Sequence, residues 1–192
     1  MKRILFFILV AGLAIAPAAR AQDHAEVGAF ADYFRLGQTS TNFVGLGCRV
    51  GVNVVKHVQL EAEMSYDFNQ VFTEGFTNTS GGTVTTENSN LRVLHGLFGP
   101  KFQTSGPVRF FVTVKGGFAD FRFDPVPASF STFTSSVNDL RASNVDAVLY
   151  PGAGVEAFIG PIGFRLEAGD EVVFVNGAHN SWRVTFGPQL RF

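Results

Sequence analysis

The last stretch of the chain, Trp182-Arg183-Val184-Thr185-Phe186-Gly187-Pro188-Gln189-Leu190-Arg191-Phe192, decides the fold. Trp182, Val184, Phe186, Pro188, Leu190 and Phe192 alternate with Arg183, Thr185, Gly187, Gln189 and Arg191. A period of two is the signature of a strand whose two faces meet different surroundings. In a soluble sheet the apolar face would meet a core, and the final residue would be polar and frayed. Here the chain ends on an aromatic residue in the apolar register.

The same alternation recurs upstream. Val44, Leu46, Cys48, Val50, Val52 and Val54 alternate with Gly45, Gly47, Arg49, Gly51 and Asn53. Val58 to Phe68, Val108 to Lys115 and Ile162 to Gly169 repeat it. Three further strands are expected over residues 26–35, 91–102 and 144–158. In the first, Val27, Ala29, Ala31 and Tyr33 share the apolar face. In the second, Arg92 and His95 fall on opposite faces, which leaves its orientation open. The total is eight strands. Short turns are expected at Val55–His57, Thr104–Gly106 and Gly160–Pro161, the latter two marked by Gly-Pro. Longer polar connections are expected at 36–42, 69–90, 120–143 and 174–180.

The N-terminus carries Lys2 and Arg3, an apolar run from Ile4 to Ala16, and Ala19-Arg20-Ala21. This order describes a secretory signal peptide cut after Ala21, leaving 22–192 as one domain. An uncleaved anchor is the alternative, but the run falls short of the ~20 apolar residues of a membrane helix. Without Lys2, Arg3 and Arg20 the basic count falls from 15 by 3 to 12, against 16 acidic residues, a net charge of −4. No basic footprint remains for nucleic acid. Charged residues make up 16% of the chain, below the ~25% of soluble domains. Cys48 is the only cysteine, which rules out an intramolecular disulfide and a cysteine-rich zinc site.

An even number of strands about ten residues long, with short turns at one end and long loops at the other, describes an all-β, antiparallel up-and-down transmembrane barrel. Lipid offers the backbone no hydrogen bonds, so a spanning sheet must close on itself. The export signal, the eight alternating strands and the terminal VTFGPQLRF resemble the small OmpA-like outer-membrane barrels of Gram-negative bacteria. The resemblance covers nearly all of residues 22–192. It implies residence in the outer membrane, contact with its lipid, and a structural or surface-interaction role. It also implies that Phe186, Leu190 and Phe192 form the signal read by the outer-membrane assembly machinery. No peptidoglycan-binding domain is expected after Phe192, so cell-wall tethering does not carry over. A monomer is expected, with no cofactor and no identified ligand for the outer loops.

Eight strands enclose an interior just wide enough for side chains. The residues expected there are Arg49, Glu61, Glu63, Arg109, Lys115, Asp146, Glu156, Arg165, Glu167, Arg183 and Arg191. Both signs occur, as a packed ion-pair network requires. Turn lengths would set Arg49 opposite Glu63 and Glu167 opposite Arg183. A filled, closed interior is one outcome, and a narrow polar pore is the other. An interfacial aromatic girdle is expected from Phe30, Tyr33, Phe34, Phe68, Phe72, Phe118, Phe121, Phe123, Tyr150, Phe174 and Trp182.

Two other classes compete. An exported lipocalin-like lipid-binding barrel would reverse the faces, with apolar side chains inside. A rim enzyme acting on outer-membrane lipid would use His179 and Ser181 with Glu167 or Glu171 nearby in sequence. No nucleophile elbow accompanies that set, and a solvated loop explains it as well. The four histidines show no metal-ligand spacing. Gly45-x-Gly47 and Gly152-x-Gly154 sit inside alternating strands, where glycine marks a bend or room for a facing side chain rather than a nucleotide loop.

Overall fold

The computed structural model describes residues 24–37, 40–77, 84–124, 145–175 and 177–192. The expected leader and the segment 125–144 of the expected long loop lie outside the described residues. Eight strands follow in chain order: β1 (Ala25–Leu36), β2 (Thr41–Val55), β3 (Val58–Thr77), β4 (Val84–Gln103), β5 (Val108–Asp124), β6 (Val145–Ile159), β7 (Ile162–Phe174) and β8 (Ala178–Arg191). Each pairs antiparallel with the next, and β8 pairs with β1 to close the barrel. The last seam is completed by Phe192, whose N–H donates to Ala25 O at 3.0 Å, while Ala25 N–H donates to Phe192 O at 3.0 Å. Both ends of the barrel chain thus lie at the short-turn end. There Gly160 takes φ +63°, a conformation glycine adopts without strain.

The outward face is apolar. Leu46, Val50, Phe98, Phe110, Phe164, Trp182 and Phe186 are all exposed. The inward face buries Arg, Lys, Glu, Asp and His side chains. This is the reverse of a lipocalin, and it is the distribution that hydrocarbon outside and a polar interior demand.

Registers are specific. Arg49 pairs with Glu63. Glu167, expected opposite Arg183, pairs instead with Thr185, and Arg183 stands opposite Gly169. The β7–β8 register is shifted by two residues from the expected one, with Phe174 paired to Ala178. The segment 69–90, expected as a loop, is largely strand: β3 and β4 pair from Gln70↔Leu91 out to Thr77↔Val84. Pairing of β3 with β2 stops at Gly45↔Asp67, and that of β4 with β5 at Asn90↔Asp124. The outer part of β3–β4 is therefore a two-stranded ribbon rising above the barrel wall.

Glycines host aromatic rings. Phe30 pairs with Gly47, Phe111 with Gly154, and Phe158 with Gly163. A Cβ added at Gly163 would stand 2.6 Å from Phe158 Cδ1, and one at Gly154 would be 2.8 Å from Phe111 Cε1. Tyr150 covers both Gly152 and Gly169 in the same way. Each ring lies flat along the inner wall, which covers the glycine backbone and leaves the centre free for long charged side chains.

Candidate functional site in the barrel interior

The interior is layered along the barrel axis. Nearest the short turns, Lys101 Nζ reaches Glu26 Oε2 at 3.2 Å and Glu156 Oε2 at 3.1 Å. Arg109 Nη1 meets Glu26 Oε1 at 3.3 Å, and Gln189 donates to Glu156 at 3.1 Å. In the next layer Arg165 grips both oxygens of Glu61, with Nη2 at 2.9 Å from Oε2, and also reaches Glu167 Oε2 at 2.6 Å. Lys115 Nζ lies 2.7 Å from Glu63, 3.0 Å from Glu167 and 3.3 Å from Glu61. Arg49 donates to Glu167 at 3.0 Å and to Thr185 at 3.0 Å.

Further out, Arg183 binds Asp32 through Nε and Nη2 at 2.7–3.1 Å, Glu63 at 2.8 Å and Ser65 at 2.9 Å. His95 then spans Glu171 Oε1, 2.7 Å from Nδ1, and Asp67 Oδ2, 2.8 Å from Nε2. Both ring nitrogens face carboxylate oxygens. The ring thus bridges the two carboxyl groups, one at each nitrogen. Aromatic rings form the floor under the cations. Arg165 lies 4.0 Å above Phe111, Arg49 4.4 Å above Phe30, and Arg183 5.5 Å from the Tyr150 centroid.

Above His95 the interior changes character. Phe34 meets His95 edge-on at 4.7 Å between centroids. Around and beyond it Leu36, Phe43, Leu91, Val93, Phe121, Val148, Val173 and Val175 pack as one buried apolar cluster. An interior that is polar throughout was the expectation. Instead its outer end is filled by a buried apolar cluster.

Arg49, Glu61, Glu63, Arg109, Lys115, Glu156, Arg165, Glu167 and Arg183 all lie in the interior charge network. Asp146 is buried near the outer end, opposite Ala119. Arg191 sits half-buried at the rim, stacked 4.4 Å over Phe158 and donating to Gly160 O at 3.0 Å. Glu26, Asp32, Asp67, His95, Lys101 and Glu171 are interior residues that sequence reasoning missed. Asp32 and Glu26 share a face opposite Val27 and Tyr33, so the alternation of that strand already contained them. Of the expected girdle, Phe30, Phe34, Phe121 and Tyr150 instead point inward and are buried, while Tyr33, Phe68, Phe118, Phe174 and Trp182 face outward. The side chains of Phe72 and Phe123 lie outside the described residues. A cavity of about 420 Å³ opens at the short-turn end, lined by His24, Lys56, Gln103 and Arg109 among others.

The rim histidine is engaged elsewhere. His179 Nε2 lies 3.1 Å from Val175 O, and Ser181 Oγ accepts the Gly37 N–H at 3.2 Å. Glu171 belongs to His95. No group of three or more His, Cys, Asp or Glu among the described residues is arranged to hold a metal ion.

A family model described as the outer membrane protein beta-barrel domain matches residues 5–177. The chain belongs to that family. It is a protein of the bacterial outer membrane. Among solved structures it is similar to Neisserial surface protein A, at 10% identity over 88% of this chain and 96% of that one, with a TM-score of 0.59. It is also similar to the Ail protein of Yersinia pestis, at 13% identity over 88% and 98%, TM-score 0.48. A third is the N-terminal barrel domain of Pseudomonas aeruginosa OprF, at 14% identity over 89% and 98%, TM-score 0.46. At these identities the likeness, carried by the first of the three, concerns the fold alone. No curated protein matches the chain in sequence.

Proposed function

We propose that this outer-membrane barrel is a sealed, non-conducting scaffold whose work is structural and done at the cell surface. The observation that carries the reading is the filled lumen. The charge layers interlock from wall to wall, and the apolar cluster closes the outer end above them. Water crosses neither a close-packed apolar layer nor a layer of mutually bonded charges without displacing side chains. What remains accessible is the outer end, where the β3–β4 ribbon rises beyond the wall. Loops and ribbons on a rigid scaffold are where such folds carry function.

The test is planar-bilayer conductance of the refolded chain, with folding verified by a heat-dependent gel shift. A folded, silent protein is the expected result. Discrete, salt-dependent steps would replace the scaffold reading with the narrow polar pore. In this reading the protein is monomeric and non-catalytic, and His179→Ala leaves the lipid composition of expressing cells unchanged. Phe186 and Leu190 on β8 and Phe192 directly after it, all exposed, are proposed as the face read by the assembly machinery. Deleting Phe192 should lower the folded membrane fraction. An unchanged fraction would remove that assignment.

A further inference from the structure

The outer wall of β4 and β5 carries an arrangement that the filled interior does not explain. Outward side chains on β4 run Phe102, Phe98, Leu94 and then Arg92. On β5 they run Phe110, Val112, Val114, Phe118 and then Asp120 and Arg122. Arg92 and Arg122 stand directly opposite each other in the register. Directly opposed side chains on one face lie within contact range, and like charges there repel. Two arginines at such a pair repel each other unless an anion lies between them.

Asp120 meets only part of it. Its Oδ2 accepts Arg122 Nε at 2.9 Å and lies 2.8 Å from Nη2. That hold fixes the plane of the Arg122 guanidinium and leaves Nη1 for another acceptor. The Arg122 side chain is 61% exposed while Asp120 is nearly covered. The Arg92 side chain makes no hydrogen bond or ion pair with another described residue. The net charge of the trio is positive.

Height on the barrel identifies the surroundings. Arg92 and Arg122 sit at the long-loop end, one or two outward positions past the last apolar side chains of their strands. Outward Tyr66 of β3 pairs with Leu94, and outward Phe118 of β5 lies just below Asp120. Aromatic side chains at this level mark the boundary between hydrocarbon and headgroups. Two guanidinium groups side by side at that boundary match the geometry of a phosphate, which each can bond through two N–H groups.

We propose that Arg92 and Arg122 form a binding site for the phosphomonoester headgroup of an outer-leaflet lipid. Asp120 positions Arg122, and the acyl chains lie against the apolar wall below. Arg35 is a useful contrast. It is another outward arginine at this level, but its register partners are Asn42 and Trp182, so no second cation faces it.

The test uses the refolded chain in phosphatidylcholine vesicles with and without phosphatidic acid. Native mass spectrometry reads the lipid that stays bound, and the heat-dependent gel shift reads stability. The wild type should retain phosphatidic acid about tenfold better than phosphatidylcholine. R92Q/R122Q should lose that preference, and R35Q should keep it. R92Q should also melt higher than wild type in pure phosphatidylcholine, where only the repulsion is removed, and lower when phosphatidic acid is present. A double variant with undiminished preference overturns the site. So does an R35Q variant that loses as much, since that would mean diffuse surface charge. Full displacement of the lipid by excess inorganic phosphate would assign the pair to a free anion instead, and overturns the lipid assignment.

Discussion

Arg49 faces Glu63 across the β2–β3 ladder, yet its guanidinium crosses the lumen to bond Glu167 on β7. Glu63 instead takes Lys115 and Arg183. Adjacency in a register is thus a poor guide to pairing inside a narrow barrel, where long side chains reach the far wall. Arg49→Glu should destabilise the folded barrel by about 3–5 kcal/mol, as for any broken buried pair. Glu167→Arg in the same chain should restore part of that loss, and Glu63→Arg should not. Urea midpoints of the gel-shift transition decide between them. His95 follows the same logic. His95→Phe leaves Asp67 and Glu171 buried without their shared hydrogen-bond partner, and should cost about 3 kcal/mol or more. A midpoint within error of wild type would mean that the two carboxylates find other partners. Arg49, Glu61, Glu63, Arg165 and Glu167 were legible in the sequence because each alternates with apolar neighbours. Lys101 and His95 were not, because the face of their strand could not be assigned.

That failure has a physical cause at the level of the strand. Alternation shows only where the two faces meet different media. On β4 the inward residues Leu91, Val93 and Leu97 belong to the buried apolar cluster while Leu94 and Phe98 face outward, so apolar residues fall on both faces and the period of two is lost. Phe34 on β1, Phe121 on β5 and Tyr150 on β6 were misassigned to the girdle for the same reason. The ribbon beyond Gln70 failed in the opposite sense. Its β4 side, VTTENSN from Val84 to Asn90, is polar at every position after the first, which reads as a loop. The glycine positions, by contrast, were visible as interruptions but not as partners of rings. Gly163→Val should push the Phe158 ring off the wall and cost about 1–3 kcal/mol, typical of overpacking. Phe158→Ala in the same chain should recover part of the loss. A purely additive double variant would mean that the ring and the glycine do not share the space.

For the whole molecule, the sealed-scaffold proposal puts two seals in series along one axis: bonded charges below and the apolar cluster above. Current through a series path is set by its tightest element, so loosening one seal leaves the other to block it. Phe34→Ala with Phe121→Ala thins the apolar cluster but leaves Arg183 bonded to Asp32 and Glu63 beneath it. Asp32→Ala with Arg183→Ala removes a cation and an anion together, so it opens the upper charge layer with less buried imbalance than either alone. It leaves the apolar cluster in place. Each pair should therefore fold, by the gel shift, and stay silent in a planar bilayer. The four substitutions together should give discrete steps that rise with salt. Conductance from the phenylalanine pair alone would show that the charge layers already pass ions, and the apolar cluster would then be the only gate. Silence from the folded quadruple variant would place the block lower, at Lys115 and Arg165 with Glu61, Glu63 and Glu167, where three carboxylates converge on one ammonium.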